Sequence, residues 1–189
     1  MTRPEELVSR LREFPCGAAV KLDDDLTPAL SSRPGVIFML RGNGLELAPV
    51  IDRIHQAHKL AAVHLDLVDG ISADASGVRW LVRCGADAII SSHGQVVGSA
   101  RAEGVVAIQR LLCASRTALD LGLAAVGRAR PDIVELLPGV ILPEVADLVL
   151  PSLTMPLLAG GFIRCPEDMH RVLAAGAVAV TTSERTLWS

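Results

Sequence analysis

Short apolar runs alternate with longer amphipathic segments along this chain, and no other feature of the sequence constrains the fold as strongly. Eight runs are rich in Val, Ile and Ala and are bounded by Gly, Pro or Asp. They are Cys16–Lys21, Val36–Leu40, Ala61–Asp66, Ala86–Ser91, Val105–Gln109, Ile133–Leu137, Leu157–Ala159 and Val178–Thr182. Runs of this length and composition are typical of buried parallel strands.

The segments between the runs are predicted to be helices. Leu45–His58 has apolar residues at the spacing of one helix face, and Ala73–Cys84 follows Ser72, which suits an N-cap. Pro166 stands where another helix would begin, and Gly176 stands where it would end. The remaining helices are expected at Asp24–Leu30, Gln95–Glu103, Ser115–Arg128, Leu142–Val149 and Glu167–Ala175.

This alternation predicts the α/β class, with a compact (β/α)8 TIM-like barrel formed by residues 1–189 as a single domain. The chain is short for that fold, which typically takes ~250 residues. An open parallel α/β sheet is therefore the alternative. Neither a linker nor a low-complexity tract interrupts the pattern, so no second domain is expected.

The composition excludes several classes of protein. Half of the residues are hydrophobic and 21% are charged, which argues against disorder. No apolar stretch is long enough to cross a membrane, and the charged N-terminal segment is unlike a signal peptide. The four cysteines are scattered, as is expected of a reduced cytoplasmic protein. Because the net charge is −3, nucleic-acid binding would need a local basic patch.

Polar residues gather where the predicted strands end, and the carboxyl ends of barrel strands are where the sites of this fold lie. Two loops near the C-terminus predict a phosphate site. Gly160 and Gly161 let the backbone approach an anion, while Thr182 and Ser183 offer hydroxyl groups. A polyol end of the same ligand is expected at the other strand ends, on Lys21, His64, Asp66, Gln109, Arg110, Glu135 and Gly139.

At two of these strand ends, the neighbouring residues suggest specific contacts. His64 and Asp66 are two residues apart on a predicted strand, so their side chains should face the same side. This pair could contact a polyol hydroxyl, hold a divalent metal or form a purely local contact. The metal is the least favoured of these interpretations, and no cofactor is predicted. Glu135 lies inside an apolar run, where a carboxylate needs a partner such as Lys21, Arg110 or a ligand.

Five segments of the chain, taken in order and with their spacing, resemble a known family. They are His64–Gly70, Ile108–Leu111, Glu135–Gly139, Ala159–Ile163 and Ala179–Glu184, followed by Leu187 and Trp188. These segments look like those of the glycerol-uptake operon antiterminator regulatory proteins. The resemblance extends from about Ala18 to Trp188 and therefore covers nearly the whole chain.

The resemblance implies a TIM-barrel-like cytosolic regulator that is not an enzyme. Members of the family respond to glycerol 3-phosphate and act on the leader of a glycerol-catabolism transcript, where they prevent premature termination. This chain departs from the family at Ser91–His93, where a titratable histidine stands in place of an expected basic residue. By the resemblance, Gly160, Gly161, Thr182 and Ser183 would hold the phosphate, and Lys21, Asp66 and Glu135 would face the glycerol end.

Leader-mRNA binding follows from the resemblance alone. The few aromatic residues do not cluster, so the sequence lacks an evident stacking platform for bases. Basic pairs occur at Arg10 and Arg12, at Arg79 and Arg83, and at Arg128 and Arg130, all of which are typical of solubilising helix faces. Glycerol 3-phosphate is expected to favour an RNA-competent form or a homodimer.

A second hypothesis is a phosphate-binding barrel enzyme that acts on a small phosphorylated sugar or polyol. In that case Lys21 would be a base or a Schiff-base lysine, and Asp66 or Glu135 would be a general acid or base. The sequence carries no further catalytic signature, and a barrel fold by itself does not establish an activity.

Overall fold

The computed structural model describes residues 2–21 and 26–189, and these form a closed parallel β-barrel surrounded by helices. The strands are β1 (Cys16–Lys21), β2 (Val36–Asn43), β3 (Leu60–His64), β4 (Val68–Asp69), β5 (Ala88–Ser91), β6 (Val106–Leu112), β7 (Ile133–Leu137), β8 (Leu157–Gly160) and β9 (Ala179–Thr182). Strand β4 only pairs in parallel with the end of β2, and the other eight form the barrel. Since β1 pairs with both β2 and β9, the sheet closes. The predicted barrel is confirmed, and the open-sheet alternative is wrong.

The helices lie between the barrel strands, with one further helix before β1. They are α1 (Pro4–Glu13), α2 (Thr27–Ser31), α3 (Leu47–Gln56), α4 (Ala75–Arg83), α5 (Gly94–Ala102), α6 (Arg116–Ala129), α7 (Leu142–Val149) and α8 (Pro166–Ala174). Short 3₁₀ turns cover Gly44–Glu46, Leu65–Leu67, Gly139–Ile141, Leu150–Ser152 and Arg185–Trp188. None of the described helices has the length and apolar character that a membrane span requires.

Most predicted boundaries differ from the structure by one to three residues, and three of the differences have a clear cause or context. Helix α4 begins after Asp74 and not after Ser72, because the Asp74 carboxylate accepts hydrogen bonds from the amides of Ser76 and Gly77. The predicted strand Ala61–Asp66 ends at His64, since the chain turns there into a 3₁₀ helix. The predicted helix Asp24–Leu30 lies partly outside the described residues, and the helix found there is α2.

Two apolar clusters hold the barrel together, one inside the strands and one between the strands and the outer helices. The inner cluster includes Phe38, and it requires small neighbours: a Cβ at Gly17 would lie 2.3 Å from the Phe38 ring. Helix α1 completes this cluster with Leu7 and Leu11, which are one helical turn apart and fully buried. Because α1 leads directly into β1, it closes the amino end of the barrel and leaves the carboxyl end open.

Candidate functional site

A cavity of about 430 Å³ lies at the carboxyl end of the barrel. Its floor consists of inward side chains of the last strands, and its rim consists of the loops that follow β8 and β9. The lining residues are Ala19, Leu40, Leu67, Arg110, Glu135, Leu137, Gly160, Gly161, Phe162, Ile163, Arg164, Thr181, Thr182, Ser183 and Glu184. The volume is within the range that suits small-molecule sites, roughly 300–1,000 Å³.

A buried ion pair forms the polar floor of this cavity. The register between β6 and β7 places Arg110 opposite Glu135. Arg110 Nε and Nη2 each lie 3.0 Å from Glu135 Oε2. The other carboxylate oxygen, Oε1, accepts a 2.6 Å hydrogen bond from the Thr181 hydroxyl. The prediction that Glu135 needs a partner is therefore confirmed, and of the named partners the structure supplies Arg110. Both carboxylate oxygens are satisfied, as a charge that is 2% exposed requires.

The loop after β8 forms one wall of the cavity. Gly160 must be a glycine, because a Cβ there would lie 2.3 Å from Thr181 Oγ1 and 2.9 Å from Glu135 Oε1. Gly161 has a φ of +86°, which glycine adopts without strain. Both residues line the cavity where the phosphate site is predicted, and phosphate binding itself stays a prediction.

The loop after β9 forms the neighbouring wall, but its two predicted hydroxyls differ in their surroundings. The Thr182 hydroxyl is buried, donates to the Ile163 carbonyl at 2.8 Å and accepts from the Glu184 amide at 3.0 Å. It therefore holds the two loops together. Ser183 is exposed on the cavity rim. Its hydroxyl is therefore better placed than that of Thr182 to donate to a bound anion.

Gly139 packs against the backbone of β8 and does not face the cavity. A Cβ on Gly139 would lie 2.6 Å from both the Ala159 carbonyl carbon and the Gly160 nitrogen. The 3₁₀ turn that contains Gly139 therefore packs against the end of β8, where the chain passes through Gly160 and Gly161 into the next loop, called here the glycine loop. Gly139 is not among the cavity-lining residues, so the structure places it in packing and not at the predicted polyol end.

His64 lies on the inner face at the end of β3, and Asp66 lies in the 3₁₀ turn beyond it. The alternation argument for this pair was wrong, because Asp66 is not on the strand. Its carboxylate accepts hydrogen bonds from the Ser91 hydroxyl and the Ser92 amide, which tie β5 to this turn. His64 is 2% exposed, and neither ring nitrogen has a partner among the described residues.

Burial, together with the positive charge of Arg110, lowers the pKa of His64 to about 4 against the opposing effect of Asp66. The imidazole is consequently neutral at pH 7. A neutral ring next to the Arg110–Glu135 pair can donate one hydrogen bond and accept another, which suits a hydroxyl group better than an anion.

The low pKa of His64 makes stability depend on pH. Below pH 6.5 the unfolded chain binds a proton at this histidine and the folded chain does not, so stability falls as the pH is lowered towards 4. We expect a slope of up to about 1.4 kcal/mol per pH unit from this group. Urea unfolding of the wild type and of His64→Leu between pH 6.5 and 4.5 measures the difference. Equal slopes in the two proteins would contradict the assignment.

Two further predicted residues lie away from the cavity floor. Gln109 has the strand parity of Ala107 and Leu111, which belong to the outer cluster, so its side chain lies on the helix side of the barrel wall. This corrects the expectation that Gln109 belongs to the ligand site. Lys21 ends β1 at the barrel mouth, after a register shift, and its side chain is exposed.

The cavity also contains residues that sequence reasoning missed. Thr181 lies on its floor, and Phe162, Arg164 and Glu184 lie on its rim. Thr181 could have been identified by counting alternate residues from the inward Ala179. The rim residues lie in the loops after β8 and β9, where no strand or helix periodicity indicates which side chains face the cavity.

The part of the chain that the structure describes holds no group of three or more His, Cys, Asp or Glu side chains arranged to bind a metal. His64 and Asp66 are thus not part of such a cluster. The expectations that the protein uses no metal and no cofactor stay predictions.

The chain is similar to proteins of known sequence and structure over nearly its whole length. It is 33% identical to YgcP of Escherichia coli K12, described as uncharacterized, over 97% of this chain and 96% of that protein. A crystal structure of a glycerol uptake operon antiterminator regulatory protein from Listeria monocytogenes is 32% identical, with a TM-score of 0.86 over 92% of this chain and 94% of that one. A glycerol uptake operon antiterminator-related protein from Thermotoga maritima is 25% identical, with a TM-score of 0.83 over 93% and 98%.

Aldolase barrels share only the fold. Deoxyribose phosphate aldolase from Aeropyrum pernix, for example, is 17% identical, with a TM-score of 0.69 over 98% of this chain and 90% of that one. By contrast, residues 17–188 match the family described as glycerol-3-phosphate responsive antiterminator. The chain therefore belongs to the glycerol-3-phosphate responsive antiterminator family, as its sequence motifs indicate, and this supports a regulatory role.

Proposed function

We propose that this protein is a cytoplasmic sensor of glycerol 3-phosphate that acts as a transcription antiterminator on the leader mRNA of a glycerol-catabolism operon. The observation that carries the proposal is the two-sided cavity at the barrel mouth. One side has the glycine loop and the exposed Ser183, and the other has the Arg110–Glu135 pair. A ligand with an anionic end and a hydroxyl-bearing end is complementary to such a cavity.

In this proposal the phosphate lies against Gly161 and Ser183 on the rim. Gly160 positions this loop, because Thr181 Oγ1 and Glu135 Oε1 already fill the space beside its Cα. The glycerol hydroxyls extend towards the floor, where Glu135 accepts and Arg110 donates hydrogen bonds. His64, on the inner face at the end of β3, is neutral, and its ring nitrogens have no partner among the described residues. Binding ties the loops after β7, β8 and β9 together, and it shifts the population towards an RNA-competent or dimeric form only as far as its differential affinity allows.

A thermal-shift titration with glycerol 3-phosphate tests the proposed effector. At ~100 times its dissociation constant, the ligand should stabilise the protein by roughly 2.7 kcal/mol, while glycerol and inorganic phosphate alone should have smaller effects. Gly161→Asp, which places a carboxylate in the proposed phosphate site, should abolish the shift. Gly70→Asp is the matched control, because Gly70 has a φ of +80° and lies outside this cavity. An unchanged melting temperature of the wild type with glycerol 3-phosphate would refute the proposal.

The second candidate is an enzyme of phosphorylated sugars or polyols, which the aldolase-like fold favours. The sequence contains two lysines, and Lys59 Nζ donates to the carbonyls of Ser32 and Pro34 at 2.6 Å. A Schiff-base mechanism would therefore depend on Lys21, which does not line the cavity. Turnover of a phosphorylated triose or polyol that is lost in Asp66→Asn would favour this candidate over the regulator.

A further inference from the structure

Phe162 stands on the rim of the cavity in an unusual conformation. Its φ is +61°, a left-handed value that is rare for a bulky side chain and follows the left-handed Gly161. The residue is 62% exposed, although a large apolar side chain gains most when it is buried. A strained backbone that presents an exposed ring at a cavity indicates a contact with something outside the chain.

Arg164 extends this aromatic surface. Its guanidinium lies 5.4 Å from the centroid of the Phe162 ring, and the side chain is exposed on the same rim. The ion pairs of the described residues do not include Arg164. An aromatic ring beside a planar guanidinium is the arrangement on which unpaired nucleic-acid bases stack, with the arginine also available to a phosphate.

The cavity has room for more than the proposed effector. Its volume of about 430 Å³ suits a drug-sized ligand, whereas glycerol 3-phosphate is considerably smaller. An effector held between the glycine loop and the Arg110–Glu135 floor would leave the outer part, beside Phe162, Arg164 and Glu184, to another group. The Glu184 carboxylate on this rim is an acceptor for the amino group of a base and repels a phosphate.

We propose that Phe162 and Arg164 form the platform on which an unpaired base of the bound RNA stacks, so that effector and RNA occupy one cavity. This inference rests on the proposed function and assigns the RNA-binding face to the open end of the barrel. It also accounts for effector dependence, because Phe162 directly follows Gly161. A phosphate held by the glycine loop fixes the orientation of the ring that receives the base.

The other exposed aromatic surface is less suited to RNA. The Trp80 side chain is 42% exposed and lines a groove that contains Asp69 and Asp74 but no lysine or arginine. Its indole nitrogen also donates to the Gly44 carbonyl at 3.4 Å. The groove around Trp80 therefore has no cation among its lining residues, whereas the rim around Phe162 has Arg164 beside Glu184.

The test uses RNA enriched from a random-sequence pool on the wild-type protein in the presence of glycerol 3-phosphate, with fluorescence anisotropy as the readout. Phe162→Leu should weaken binding of the enriched RNA by about tenfold or more, the loss of one stacked base. Phe162→Trp should retain binding, and Arg164→Gln should weaken it with a smaller salt dependence. The thermal shift with glycerol 3-phosphate should persist in Phe162→Leu.

Two variants control for general effects of these substitutions. Arg33→Gln removes the same type of contact elsewhere, because the Arg33 guanidinium lies 4.6 Å from the Phe14 ring. Trp80→Leu removes the other exposed aromatic. Both should bind RNA as the wild type does. If Phe162→Leu binds the enriched RNA as tightly as these controls do, the stacking platform is wrong. The proposed sensing of glycerol 3-phosphate is then unaffected. If the pool shows no enrichment on the wild type, the platform and the RNA part of the proposed function fail together.

Discussion

Replacing Glu135 with alanine is expected to lower the free energy of unfolding by about 3–5 kcal/mol. The substitution leaves the Arg110 guanidinium, whose side chain is 11% exposed, without its carboxylate partner. It also leaves the Thr181 hydroxyl without its acceptor. A buried charge that loses its counter-charge keeps its desolvation cost and loses the compensating attraction. Urea unfolding followed by circular dichroism measures the change.

Two variants separate the buried ion pair from other effects of truncation. Glu144→Ala breaks an exposed pair with Arg171, which has a similar N–O distance of 2.8 Å, and should change stability far less. The double variant Arg110→Met, Glu135→Leu should recover most of the loss, because apolar residues of similar size need no counter-charge. If Glu135→Ala were no more costly than Glu144→Ala, the network would not be a structural element of the floor.

Gly139→Ala is expected to destabilise the barrel by about 3 kcal/mol or more and to abolish the thermal shift with glycerol 3-phosphate. Its added Cβ would meet backbone atoms at 2.6 Å, and backbone at the end of a paired strand cannot rotate away as a side chain can. Relief requires a movement of Ala159 and Gly160, which carry the glycine loop. The measurement is the same thermal-shift titration, combined with urea unfolding.

Gly98→Ala is the matched control for this glycine. Gly98 lies within α5, and a Cβ there would meet no atom within 4 Å. Alanine in the middle of a helix is favoured over glycine by up to about 1 kcal/mol, so this variant should be slightly more stable and bind the effector normally. Wild-type stability and ligand response in Gly139→Ala would show that the turn after β7 does not support the loop.

Much of the fold was predictable because the barrel wall is buried on both faces. Strands β1 and β7 have the predicted bounds, since each is a short apolar run that ends in a polar or turn residue. Helix α8 begins at Pro166 as predicted. The two-residue strand β4 was not predictable, because its pairing with the end of β2 depends on a turn that no local pattern indicates.

The types of residue in the candidate site were predictable, but the partners that they contact were not. A carboxylate in an apolar run predicts a partner for Glu135, yet the sequence left Lys21, Arg110 and a ligand as equal choices. Register between β6 and β7 selects Arg110. The sequence also left open which of two adjacent threonines reaches the floor. The Thr181 hydroxyl donates to Glu135, whereas the Thr182 hydroxyl donates to the Ile163 carbonyl, because one step along a strand reverses the side.

The sequence by itself determined the local properties of this protein: which segments form the eight barrel strands, where glycine allows a left-handed backbone, and that Glu135 needs a partner. These follow from hydrophobic burial, glycine conformation and desolvation, which act within a few residues. Only the tertiary structure decided that the sheet closes, that α1 seals one end and that His64 has no partner among the described residues. Such features depend on contacts between residues far apart in the chain, such as Glu135 and Thr181, and local spacing does not encode that register.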